Sequence, residues 1–187
     1  MSSPFHRLLT FFSTRSPHPT PQTITLLDSL RGDLSLGLNF PISLFLALTR
    51  HLIFRNTGFF SLRIHVPSVQ TSRVLLGGPE KFDIDEKRGY GLGELVGEVR
   101  RQGGGVAEVV EAVGCWGLVA RRDGRVSGDE VRAYQRGEVM ERVAERRTGR
   151  GDVLPFWRGG PISVDGHSWA VKRFFGVEVY RKDWKGE

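Results

Sequence analysis

Asp28-Ser29-Leu30-Arg31-Gly32-Asp33-Leu34-Ser35-Leu36-Gly37-Leu38-Asn39-Phe40-Pro41-Ile42-Ser43-Leu44-Phe45-Leu46-Ala47-Leu48 is the stretch on which the reading of this chain turns. A polar, helix-compatible turn runs without a linker into the most apolar run of the protein. Residues 34–48 carry no charged side chain, and Arg50 and His51 close the run. These fifteen residues fall short of the ~20 a helix needs to span a bilayer. Pro41 lacks an N–H and clashes with the preceding turn, so it breaks or kinks a helix that crosses it. Either the run is a buried core helix, or it is a bent segment lying in a lipid surface with its charged flanks among the headgroups.

Composition narrows the partners. The 187 residues fit one domain with tails, and 39% hydrophobic content with 24 glycines is thin for a compact core. The formal charge of +6 is unevenly placed. Residues 1–78 hold seven Arg against Asp28 and Asp33, whereas the remainder holds 20 basic against 19 acidic side chains. The basic part is therefore also the apolar part, which suits an anionic lipid surface. A nucleic-acid groove would ask for a dense basic stripe with stacking aromatics, so no nucleic-acid partner is expected. A lone Cys115 excludes an internal disulfide and a cysteine-based zinc site, and points to a reducing compartment.

Residues 1–22 hold Arg7 and Arg15, no acid, and a Pro17-His18-Pro19-Thr20-Pro21 spacer. They read as a disordered basic tail or as a mitochondrial address. Residues 23–27 are β-prone and 28–38 helical, and the apolar run extends to residue 60. Leu62-Arg63-Ile64-His65-Val66 alternates as a strand does. Helices are expected over residues 92–101, 106–120 and 130–147. Residues 149–187 form a Gly- and aromatic-rich extension, with a hairpin expected around Asp165-Gly166.

The opening stretch also carries a likeness. Asp28-Ser29-Leu30-Arg31-Gly32, then Leu36-Gly37-Leu38-Asn39-Phe40 and Ser43, resembles the caleosin signature "T-x-R-G-F-x-x-L-G-F-N", in which an EF-hand leads into a hydrophobic segment that anchors to lipid droplets. Gly117-Leu118-Val119-Ala120-Arg121-Arg122-Asp123-Gly124-Arg125-Val126-Ser127, with Glu130-Val131-Arg132 and Tyr134-Gln135-Arg136-Gly137, resembles the family's second segment, "L-x-x-D-G-x-(x)-S-K-E-x-x-R-x-x-Y-D-G". The two matches come in the family's order, and the likeness covers residues 23–147.

The resemblance implies a mainly α fold of EF-hand-like helix–loop–helix pairs with a short β-bridge and a monotopic hydrophobic segment over residues 34–60, in a domain of residues 23–148. It implies calcium and haem as cofactors. Its activity is that of a peroxygenase, passing oxygen from a fatty-acid hydroperoxide to an unsaturated lipid, so a fatty-acid ligand is the implied small molecule. It places the protein on the cytosolic face of the lipid droplet or endoplasmic reticulum membrane. Leu36, Leu38, Phe40, Leu44, Phe45, Leu46 and Leu48 are the expected lipid-facing side chains.

A twelve-residue calcium loop supplies oxygens at positions one, three, five and twelve, with glycine at six. Residues 83–94 offer Asp83, Asp85 and Glu94, but Lys87 stands at position five and Arg88 in the glycine place. Residues 119–130 keep Asp123, Gly124 and Glu130, with Val119 and Arg121 at positions one and three. The loop before Asp28 would begin at Pro17 and keeps only that closing acid. Ion-free scaffolding, with Tyr90 and Val126 paired across the two loops at position eight, is the expected state. For haem, the family's first histidine matches His6 at wider spacing, while Gln70 and Val74 stand where its second run has histidines. His65 is the nearest substitute. No nucleophile elbow, phosphate loop or His–Glu metal motif is present. The competing expectation is a soluble EF-hand-derived interaction module without catalysis.

Overall fold

The stretch of residues 28–48 divides at Gly37 into two helices. The computed structural model describes residues 3–16, 22–57, 61–70 and 81–183. It is mainly helical, as expected, and the chain forms two units, Leu9–Gln70 with Glu141–Glu187, and Met1–Leu8 with Thr71–Met140. The chain passes from one unit to the other within helix α1 (Pro4–Ser13) and within helix α7 (Val139–Thr148).

In the first of these units, α2 (Leu26–Ser35) starts from a capping box. The Thr25 hydroxyl accepts from Asp28 N (3.2 Å), and the Asp28 carboxylate accepts from Thr25 N (2.9 Å). The helix stops before Gly37, whose φ of +80° an L side chain adopts only under strain. Asn39 then caps α3 (Phe40–Phe54), its Oδ1 accepting from Ile42 N (3.1 Å). Pro41 was expected to break or kink a helix; it opens one instead. In the first helical turn its missing N–H has no intrahelical partner to lose.

Leu30, Leu34, Leu36 and Leu38 are buried, together with Leu9, Phe11 and Phe12 of α1. Pro4–Ser13, read as part of a disordered tail, is thus a helix whose apolar side chains belong to cores; residues 17–21 lie outside the described residues. Strand β1 (Thr23–Ile24) pairs antiparallel with β2 (Ile64–His65) in the register Thr23↔His65 and Ile24↔Ile64. Ile64 and Val66 are buried and His65 between them half-buried, in line with the alternation the sequence predicts.

The C-terminal residues complete this same unit rather than extending from it. α8 (Val164–Phe175) replaces the expected hairpin. Ser163 accepts from Gly166 N (3.3 Å), so Asp165-Gly166 falls in a capped first helical turn. Arg31 Nε donates to Phe175 O (2.9 Å), and the Tyr180 hydroxyl donates to Gly37 O (3.1 Å) while accepting from Leu154 N (3.0 Å). The fully buried Arg147 donates to Leu36 O and lies 3.6 Å from Asp152.

In the second unit, β3 (Gly89–Tyr90) pairs antiparallel with β4 (Val126–Ser127), with Tyr90 opposite Val126 as expected. α4 (Leu92–Arg101) and α5 (Val106–Val119) occupy the expected ranges and bury Leu95, Val99, Ala112, Cys115 and Val119. The single helix expected over residues 130–147 is two, α6 (Gly128–Gln135) and α7. Between them Gly137 has φ +75°, and a Cβ there would lie 1.9 Å from Pro4 O.

Candidate functional site

Helix α3 is inverted. The side chains it buries are Ser43, Ala47 and His51, spaced by four and all fully enclosed. The face it turns outward holds Phe45 (67% exposed), Leu52 (60%) and Ile53 (65%), with Leu48 and Phe40 also exposed. An ordinary surface helix has its apolar stripe on the core and its polar side chains in water. Here the polar groups bond inward: Ser43 Oγ donates to Leu38 O (3.3 Å), and His51 Nε2 shares a hydrogen bond with Ser29 Oγ (2.8 Å), while His51 Nδ1 is buried without a hydrogen-bond partner among the described residues. Burial pushes the His51 imidazole below its ordinary pKa.

Two of the expected lipid-facing residues are corrected. Leu36 (1% exposed) and Leu38 (5%) lie in the link between α2 and α3 and are core, covered by Arg147, Tyr180 and the turn at Gly159. Leu44 and Leu46 are half-buried, and Phe40, Phe45 and Leu48 are exposed. Leu52 and Ile53, inside the expected hydrophobic segment of residues 34–60 but not among its named lipid-facing side chains, are exposed as well. The expected flanking cations are also engaged. Arg50 holds Asp33 through two bonds (2.9 and 3.1 Å) with its guanidinium 3.7 Å from the Phe12 ring centroid. Burial still holds the Asp33 carboxyl above its usual range, against the pull of Arg50. Among the described residues no helix is long and apolar enough to cross a membrane.

The expected calcium carboxylates are turned onto their own chain. Glu94 accepts from Gly91 N (2.7 Å) and Arg125 (2.9 Å), and these contacts, the backbone bond foremost, hold its carboxyl below the usual range. Glu130 is buried and accepts from Ser127 N (3.1 Å). Asp123 accepts from Arg125 N (2.9 Å), Asp85 from Lys87 N (3.0 Å), and Asp83 from Arg132 (2.5 Å). Among the described residues, no group of three or more His, Cys, Asp or Glu side chains is placed to hold a metal ion. The donor set does not fit a calcium ion, since Lys87 and Arg88 bring positive charge into the first loop and the acids already have partners.

The two histidines expected for haem belong to different units. His6 is half-buried on α1 in one. His65 is half-buried in the other, its Nδ1 hydrogen-bonded to Ser68 Oγ (2.8 Å). Val74, aligned with a family histidine, lies outside the described residues.

A repeat that sequence reading missed occurs in each unit. In each, two strand residues pair at the same place, Ile24 with Ile64 and Tyr90 with Val126. The next residue is bonded to the residue three further on: Thr25 with Asp28, His65 with Ser68, Gly91 with Glu94, and Ser127 with Glu130. In a twelve-residue loop these are positions eight, nine and twelve. The signal was present as an apolar residue followed four later by a polar or acidic one. It was overlooked around Ile64, where Ser68 replaces the acid. Compared with protein-family models, characterised proteins and solved structures, the chain matches none.

Proposed function

We propose that the protein is a caleosin-like, EF-hand-derived scaffold that attaches to a lipid surface through the outward face of α3. The observation that carries this is the inversion of that helix: bulky apolar side chains outside, Ser43, Ala47 and His51 inside. Phe45, Leu48, Leu52 and Ile53 together make an exposed apolar face, and such a face invites association. Fifteen residues make a helix of about 22 Å, suited to lying in one leaflet rather than crossing two. The loop repeat supports an EF-hand-derived framework in which the position-twelve acids Asp28, Glu94 and Glu130 now cap helices.

The attachment is apolar rather than electrostatic at α3 itself, since Arg50 is neutralised by Asp33. The surface proposed is that of a lipid droplet or the cytosolic face of the endoplasmic reticulum. A mitochondrial leader cleaved after residue 16 would take with it Leu9, Phe11 and Phe12, three core side chains. Calcium binding and haem-dependent peroxygenase activity, which the resemblance would bring, form no part of the proposed function, given the partners already held by Asp83, Asp85, Glu94, Asp123, Glu130 and His65.

Flotation of the purified full chain with phosphatidylcholine vesicles and with phospholipid-coated triacylglycerol droplets is the test, and the protein is expected in the floating fraction. A folded monomer left behind in the soluble fraction would refute lipid attachment. It would favour the soluble interaction module, for which Val106, Val110 and Val113 on α5 supply a second exposed apolar stripe at helical spacing.

A further inference from the structure

The unit that carries α3 presents a second apolar group of a different kind. Phe156 and Trp157 in the 3-10 turn Phe156–Arg158, Ile162, and Trp169 and Phe174 on α8 are between 62% and 88% exposed. They are not on a loose tail. Ser163 caps α8 at its start, Gly176 closes it with φ +67°, and Arg31 holds its last carbonyl. The Trp169 and Phe174 rings meet edge to face at 6.1 Å, and the Arg158 guanidinium lies 5.4 Å from the Trp157 centroid. Large aromatic side chains held rigidly in water call for a partner.

We infer that this aromatic group is a second lipid-contact site, seated in the headgroup layer of the same anionic surface that receives α3; the inference rests on the lipid attachment proposed above. Continuity is the first support. Asn39, the cap of α3, donates through its backbone N to Gly159 O (2.7 Å) and through Nδ2 to Gly160 O (3.1 Å). Phe40 at the start of α3 and Phe175 at the end of α8 have ring centroids 5.8 Å apart. Both ends of the aromatic group are thus fastened to the first turn of α3, and the exposed Phe40 runs from one patch to the other.

Side-chain chemistry is the second support. The exposed stripe of α3 holds only hydrocarbon side chains, which suit acyl chains. The C-terminal group holds two indoles, which have an apolar body and an N–H donor and so concentrate where hydrocarbon meets headgroup. Charge is the third. Five basic side chains stand against three acids between residues 156 and 183, and Asp165 and Glu178 are both held by cations, Asp165 by Arg150 and Glu178 by Lys172 and Arg181. A net positive charge over this segment, with Arg158 beside Trp157, favours anionic headgroups. It disfavours a second copy of this chain, because an isologous contact sets the same excess charge against itself.

The test uses the full chain with phosphatidylcholine vesicles, with phosphatidylcholine–phosphatidylserine vesicles, and with the same vesicles made from acyl-brominated phosphatidylcholine. The intact protein should bind the serine-containing vesicles more tightly, and bromine should quench its tryptophan emission. In a Trp184→Phe background, Trp157→Phe/Trp169→Phe should lose most of that quenching, because the one remaining tryptophan, Trp116, is buried. Trp157→Ser/Trp169→Ser/Phe174→Ser should weaken vesicle binding by at least about tenfold while the thermal midpoint stays unchanged. Equal binding by the triple variant, while Phe45→Ser/Leu52→Ser loses it, would overturn the second site and leave attachment through α3 standing. Failure of the intact chain to bind any vesicle would overturn both. A triple variant that lost self-association with vesicle binding unaltered would assign the group to a second copy, and so also overturn the inference.

Discussion

Replacing Phe45 and Leu52 together with serine separates what a helix face does for the fold from what it does for binding. Both side chains are already largely in water, 67% and 60% exposed. Their removal should therefore change folding stability by no more than about 0.5 kcal/mol, as for other surface substitutions. Full burial of a Phe or Leu is worth about 1.5–3 kcal/mol, and the exposed fractions leave about 1–2 kcal/mol each for a lipid surface to recover. The pair then accounts for roughly 2–4 kcal/mol of attachment, or about a thirtyfold to thousandfold change in vesicle affinity. Vesicle co-sedimentation across a lipid titration, with thermal denaturation of the same samples, measures both quantities. Ala47→Leu on the opposite face is the control: Ala47 is fully enclosed, and overpacking there should cost about 1–3 kcal/mol of stability. The reasoning is refuted if the double variant unfolds readily yet binds vesicles as the intact chain does, for the outward face would then be packing.

Other consequences follow from single residues. Gly37→Ala should cost more than about 2 kcal/mol in urea denaturation, since the left-handed backbone is strained for alanine and its Cβ would lie 2.0 Å from the Tyr180 hydroxyl oxygen. Arg147 is fully enclosed, with burial lowering its pKa to about 10; Arg147→Ala should cost about 3–5 kcal/mol, and Arg147→Met less, because the chain's packing volume is kept while Leu36 O loses its donor. His51 has a folded pKa depressed by burial, so the stability tied to its neutral form is present above about pH 6.5 and lost as the pH falls through the folded value. The thermal midpoint should therefore drop on acidification below that range, and His51→Gln should flatten the slope, leaving the part owed to His167, which burial depresses in the same direction. Millimolar calcium should leave the thermal midpoint unmoved, as Glu94 and Glu130 are already bonded to Gly91 N and Ser127 N; a rise would show that the loops release their caps for an ion.

Much of the framework was legible in the residues. Helix α4 falls on the expected residues 92–101, and the apolar residues at position eight of the two loops gave the Tyr90↔Val126 pair. The inversion of α3 was not legible. A helix apolar on nearly every side does not say which face is inside, and Ser43, Ala47 and His51 form a polar-and-small stripe that would ordinarily mark the water side. Leu36 and Leu38 were misplaced for a related reason: the run looked like one bent element, whereas Gly37 divides it and turns both leucines into the core. α8 was read as a hairpin because Asp-Gly is a strong turn signal, but Ser163 three residues before Gly166 outweighs it by capping a helix. α1 escaped notice because it has no acid in its first turn and is followed by proline-rich sequence.

The bond from Tyr180 to Gly37 spans 143 residues. A ribosome adding about 5–20 residues per second needs roughly 7–30 s to make that length of chain. For most of that interval Leu36 and Leu38 lack all three of their covers, since Arg147 and the Gly159 turn are made only near its end and Tyr180 last, and the apolar residues of α3 lie next to them in the chain. The nascent chain therefore shows its greasiest segment long before the residues that complete that unit exist. Whatever receives α3, a chaperone or a lipid surface, has the opportunity to do so during synthesis, and the C-terminal residues then close over a segment already in place.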